Sequence, residues 1–202
     1  MRQFVALSCL LLSAAPFFPA RTASNADVPP AATKFLDLFD RLRAAYRQQE
    51  AGDPRPQVNF QFSEMEFNDY LRYSLKTTPR AGIDSVVVKF LAKDSVSTLT
   101  RIDFDAVERW RPGTIPSVLK PLLKGKKSVS IDFHFQVADS KLTYTVDKAR
   151  YEDMNLSPFL VEKMIQIVGA RQPEKFDASK PLPLPFDVSK VWTTEHNIHG
   201  KF

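Results

Sequence analysis

Three clusters in this 202-residue sequence carry side chains that could do chemistry. Asp103-Phe104-Asp105 and Asp132-Phe133-His134 each place polar groups at alternate positions. If both stretches are strands and neighbours, Asp103, Asp105, Asp132 and His134 share a face, and a hard-metal site or an acid/base pair becomes conceivable. The competing reading is a solvated sheet face, in which such residues only maintain alternation and solubility. His196-Asn197-Ile198-His199 sets two imidazoles three residues apart, a spacing that suits metal ligation on a helix. Gly200 follows directly, no Glu separates the histidines, and a frayed polar end is expected instead. No Ser is placed beside a His as a triad needs. The six glycines form no phosphate-cradling or nucleophile-elbow motif. These residues together point away from an enzyme, and no cofactor or metal is expected.

The beginning of the chain reads as a targeting segment. Met1-Arg2-Gln3 is basic, Phe4 to Phe18 is apolar, and Ser24-Asn25-Ala26 has the small-x-small form of a cleavage site. The apolar run falls short of the roughly 20 residues of a membrane span, and Pro16 and Pro19 interrupt it. Residues 1–26 are therefore expected to be a signal peptide and the protein to be exported, periplasmic or extracellular. Cys9, the single cysteine, would leave with it, so a disulfide framework and thiolate chemistry are excluded from the remainder. Of 28 basic and 23 acidic residues, only Arg2 and Arg21 are removed. The residual balance is mildly basic and does not suggest a nucleic-acid partner.

The elements that must position any site follow from periodicity. After a leader from residue 27, Phe35, Leu38, Phe39, Leu42, Ala45 and Tyr46 recur at helical spacing and predict an amphipathic helix ending near Gly52. Residues 57–202 are expected to form one domain packed with that helix. A short strand over Gln57–Phe62 precedes Ser63-Glu64-Met65-Glu66, a capping-box sequence opening a second helix with Phe67, Leu71 and Leu75 on its apolar side. Strands are predicted over Ile83–Ala92, Val96–Val107 and Ser128–Val137, with alternation resuming at Leu142, Tyr144 and Val146. In the third, Val129, Ile131, Phe133, Phe135 and Val137 share one face, and Ser130, Asp132, His134 and Gln136 the other. Period-2 patterning predicts antiparallel strands with one buried face. Ser157-Pro158 opens a further helix containing Leu160, Met164, Ile167 and Val168, and a last strand is expected over Val188–Thr193. The fold class expected is α+β: a long, strongly bent antiparallel sheet packed on amphipathic helices.

Two stretches suggest contact with amphiphiles. In Ile115–Lys127, the apolar Ile115, Val118, Leu119, Leu122 and Leu123 are interleaved with Lys120, Lys124, Lys126 and Lys127. Apolar residues among lysines suit the surface of an anionic membrane; the alternative is a connector whose leucines cap the core. On the sheet, Phe104, Ile131, Phe133, Phe135, Leu142 and Tyr144 either fill the interior or line an apolar groove for a lipid or other amphiphile.

Several segments together resemble the tubular lipid-binding (TULIP-like) domains of exported bacterial proteins. Ser63-Glu64-Met65-Glu66-Phe67-Asn68-Asp69-Tyr70-Leu71 is similar to their first helix start, and Ser157 to Ile165 to their second helix. Phe176-Asp177 and Pro181 to Val188 resemble their closing strand lead-in. The resemblance covers roughly residues 60–191. It implies a bent antiparallel sheet wrapped on a long helix, and non-catalytic lipid binding in the cell envelope. A second function class stays open: an envelope interaction or assembly module with a filled core.

Overall fold

The computed structural model describes residues 28–202, apart from 55, 111, 114, 116, 118, 119, 171–176 and 178; for 164 and 167–170 it describes the backbone alone. The expected signal segment, Val118, Leu119 and Phe176 lie outside the described residues.

Helix α1 spans Pro30–Glu50, with Pro at its first position, where the missing N–H costs nothing. It ends at Gly52, whose φ of 87° accommodates the left-handed residue that closes a helix. Its apolar stripe (Ala32, Phe35, Leu38, Phe39, Leu42 and Ala45) is buried, as the periodicity predicts. Strand β1 (Asn59–Ser63) leads directly into α2 (Glu64–Thr77). The capping box forms in full: the Ser63 hydroxyl accepts from the Glu66 N–H at 3.2 Å, and the Glu66 carboxylate accepts from the Ser63 N–H at 2.8 Å. Lys34 of α1 reaches the same carboxylate at 2.7 Å and so ties the two helices together. Burial opposes the charge on Glu66, but the bonds from Lys34 and Ser63 outweigh it and hold its pKa below the usual value.

The main sheet is antiparallel, with β2 (Ile83–Leu91), β3 (Ser95–Asp103), β4 (Lys126–Ala138), β5 (Lys141–Tyr151) and β6 (Met154–Leu156) in sequential order. Alternation decides which side is buried. Phe90, Val96, Phe133 and Val146 stand in one row across four strands, and all are buried. Asp139 and Ser140, both with positive φ, make the two-residue turn that joins β4 to β5 without splaying them. Helix α4 (Pro158–Ala170) packs on β5, and β7 (Leu182–Pro183) pairs with the start of β5. The fold is α+β, as expected.

The structure differs from the expectation in two places. The strand predicted over Val96–Val107 ends at Asp103, and Phe104–Trp110 is a helix, α3. The Asp103 carboxylate accepts the Ala106 N–H at 2.9 Å and starts the new helix. Ile102, Phe104 and Ala106 alternate, but Phe104 and Val107 also satisfy helical spacing, and the cap decides between the two. The C-terminal histidines are not a frayed end. Lys190–Thr194 (β8) and Asn197–Lys201 (β9) form a hairpin, and β9 lies between β1 and β8 in a second sheet. Ile198 and Phe202 are buried there, and a Cβ on Gly200 would run into the Phe60 ring. That hairpin docks on the tip of the main sheet: the His196 N–H donates to the Phe90 carbonyl at 3.0 Å, and the Thr193 N–H to the Asp94 carboxylate at 2.9 Å.

Two apolar clusters result. The large one joins α1, α2, the inner sheet face and the C-terminal hairpin. The small one consists of Phe104, Ile115, Leu123 and Tyr151, with Ile102, Val129 and Leu156 against it. It lies at the end of the sheet where β3 stops, β4 starts and β5 turns into β6.

Candidate functional site

The four polar residues considered for catalysis do not converge. Asp103 pairs in register with Lys126, whereas Asp132 pairs with Ser97, six residues away along β3. At the rise of a β-strand that separation is about 20 Å. Asp105 is exposed on α3. His134 meets a different partner: its Nδ1 lies 2.9 Å from the carboxylate of Asp147, the residue at the β4–β5 bulge. Both side chains of that pair are more than two-fifths exposed, so it is a surface contact of small energy. Among the described residues no group of three or more His, Cys, Asp or Glu side chains is placed to hold a metal. His199 stacks on Trp192 with ring centroids 5.2 Å apart and shares a hydrogen bond with the Thr194 hydroxyl at 3.0 Å.

The residues expected to line a groove fall into two regions. Phe133 and Phe135 are each 1% exposed and Leu142 0%. Ile131 is buried beside them, and Leu42 of α1 belongs to the same cluster. These side chains are part of the packed core. Tyr144 is half-buried, and burial, with Glu162 adding to it, pushes its pKa up to about 12. Phe104 is not with them. It starts α3 and packs near Tyr151 in the small cluster, a consequence of the strand ending one residue earlier.

The lysine-rich segment is also divided. Leu123 is buried in the small cluster, which removes it from membrane contact; Leu122 beside it is 40% exposed. The Tyr151 hydroxyl donates to the Leu122 carbonyl at 2.6 Å and sets this difference by pinning the backbone between the two leucines. Lys120 pairs with Glu108 at 2.7 Å, and Lys126 with Asp84 at 2.8 Å. Lys124 and Lys127 meet no carboxylate among the described residues. Glu108 organises the connection after α3. Its carboxylate takes Lys120, the Gly113 N–H at 2.9 Å and the Ile115 N–H at 3.2 Å, and these bonds bring its pKa down to about 2.

Sequence reasoning picked out Leu122 but not the other exposed apolar side chains of this end. Among the described residues nine large apolar side chains are exposed, and five belong to elements that start or end near the small cluster: Trp110 at the end of α3, Leu122, Met154 after the β5–β6 turn, and Phe159 with Leu160 in the first turn of α4. Phe159 is 67% exposed, with the Lys163 ammonium 5.6 Å from its ring centre. A signal was present: α4 carries only Glu162, Lys163 and Gln166 as polar residues, so an apolar part of it had to face outward or meet a partner.

The segment that resembles a lipid-binding helix start is used structurally. Glu66 completes the capping box. The Asn68 side chain exchanges both hydrogen bonds with the backbone of Val88, at 2.7 and 2.8 Å, and Glu64 accepts the Phe90 N–H at 3.0 Å. Together they close the free edge of β2, which would otherwise be open to another strand. Tyr70 stacks on Phe35 at 4.4 Å, Phe35 stacks in turn on Phe62, and Leu71 is buried.

No family model, curated protein or solved structure matches this chain. Function is therefore read from its side chains.

Proposed function

We propose that this protein is a non-catalytic module of the cell envelope that binds lipid or another amphiphile, and that it does so at the end of the sheet capped by the small cluster. The observation that carries this reading is that exposed apolar side chains stand on the elements that start or end at the small cluster, among them Trp110 closing α3, Leu122 beside Leu123, and Met154 paired with Tyr151. Export, an anionic membrane as partner and kinship with the tubular lipid-binding domains belong to the same proposal. The separation of Asp103 from Asp132 and His134 favours binding over hydrolysis.

The pairing of Lys120 and Lys126 changes the magnitude. A lysine near an anionic surface contributes on the order of 1 kcal/mol, so the two unpaired lysines contribute about 2 kcal/mol, roughly thirtyfold in partitioning. Sedimentation with anionic vesicles tests this: Lys124→Gln with Lys127→Gln should lose most of the salt-sensitive binding, and equal sedimentation of variant and parent would remove the lysines from the mechanism.

A second reading is favoured by the packing of Phe133, Phe135 and Leu142. An interior filled by side chains suits an assembly module, and a groove ligand would have to displace α1. Mass spectrometry of organic extracts separates the two: a co-purifying lipid supports a groove under α1, and its absence restricts amphiphile contact to the surface.

A further inference from the structure

We infer that the anchor of membrane contact is the first turn of α4, with Phe159 as the residue that enters the acyl boundary and Met154, Leu122 and Trp110 as further exposed apolar side chains on the elements that meet at the small cluster. This rests on the membrane reading above and names the element and the force within it. The two leucines that the sequence offered for insertion cannot both serve, since Leu123 is held inside by the small cluster and the Tyr151–Leu122 hydrogen bond. Phe159 is free to serve. It is 67% exposed, and α4 starts two residues after Leu156, which packs against the small cluster beneath the lysine segment. Met154 pairs with Tyr151 in the β5–β6 hairpin and is 49% exposed at that same end.

The kind of surface follows from what separates these side chains. They project from different turns, and cations accompany them: Arg109 precedes Trp110 in the chain, Lys124 follows Leu122 by two residues, and Lys163 lies over the Phe159 ring. A second protein copy would have to bury these cations near the centre of the contact, and lysine is depleted from the centres of protein interfaces. At a lipid surface the same cations stay among phosphates while their stems cover apolar surface, and Trp sits at headgroup depth. Asp105 and Asp153 are exposed on the same end and lower its positive potential. Charge therefore supplies the smaller part of binding, and most of the affinity resists salt.

Flotation of the chain with vesicles of phosphatidylglycerol and phosphatidylcholine, at about 0.1 M and about 1 M salt, reads the two contributions separately, because the Debye length shortens from about 10 Å to about 3 Å. Phe159→Ser should reduce partitioning by about tenfold at both salt concentrations, with an unchanged melting temperature because the ring is exposed. Lys124→Gln with Lys127→Gln should reduce it only at low salt. If the parent floats and Phe159→Ser floats equally, the anchor is overturned while the membrane reading survives. If the parent does not float, both fall. A concentration-dependent dimer in solution that Phe159→Ser abolishes would assign the patch to a second copy and overturn the inference.

Discussion

The two apolar clusters differ in how they are held, and the contrast separates structure from contact. The large cluster is built from interlocked aromatic side chains. Phe35 lies between Phe62 at 3.6 Å and Tyr70 at 4.4 Å, Phe67 meets Phe90 edge-on at 5.1 Å, and Asn68 seals the strand edge above them. The small cluster has four buried residues and a rim of exposed ones, and its cover is a connection held largely by Glu108 and the Tyr151 hydroxyl. A core that keeps its apolar area from water contributes to folding stability; apolar area left in water becomes useful when something else covers it.

The largest expected effect is in the closed region. Phe133→Ala should destabilise by about 3–5 kcal/mol in urea unfolding, because the residues around it have no room to collapse. Leu123→Ala should fall at the low end for a buried leucine, about 2 kcal/mol, since the small cluster has only four buried members. Equal losses would mean that the two clusters behave as one core. Gly200→Ala should follow, at roughly 1–3 kcal/mol, because the added methyl must displace the Phe60 ring. A neutral result would show that the second sheet is as loosely packed as the rim.

Acid should act on the small cluster's cover. Glu108 has a folded pKa of about 2 against an ordinary 4.5, so its stabilisation is complete above about 4.5 and is lost as pH falls through about 2. Amide exchange at Gly113 and Ile115 should therefore show loss of protection in that window, beyond the intrinsic pH dependence of exchange, and Glu108→Gln should show the loss already at pH 6. Protection unchanged in the variant would mean that Glu108 does not hold the connection. The smallest effects belong to the outer sheet face. His134→Gln and Asp103→Asn should each change stability by less than about 1 kcal/mol, with Asp103→Asn retaining a capping oxygen. A larger loss at His134 would give the Asp147 pair a structural weight that its exposure does not suggest.

The same contrast marks what the sequence makes legible. The closed region is built from repeated patterns: the stripe of α1, the Ser63–Glu66 box, and the alternation from Val129 to Val137. Each is reinforced over several residues, and each is found where expected. The rim depends on single decisions. Asp103 as a cap turns Phe104 out of the sheet, one tyrosine hydroxyl separates Leu122 from Leu123, and Glu108 claims Lys120 across a connection. None of these has a period. Of the C-terminal hairpin, the first strand falls where expected and the second, β9, escaped for a related reason, since Ile198, Gly200 and Phe202 give only three alternating positions, one of them without a side chain.

The two tryptophans allow the central claim to be measured directly, because one stands in each setting: Trp110 on the rim and Trp192 on the hairpin docked at the opposite end of the sheet. Vesicles carrying brominated acyl chains quench only indoles that reach the bilayer. With Trp192→Phe leaving Trp110 as the single indole, the account predicts strong quenching on addition of anionic brominated vesicles. With Trp110→Phe leaving Trp192, it predicts none. Quenching of Trp192 alone, or of both indoles equally, would contradict contact through the rim.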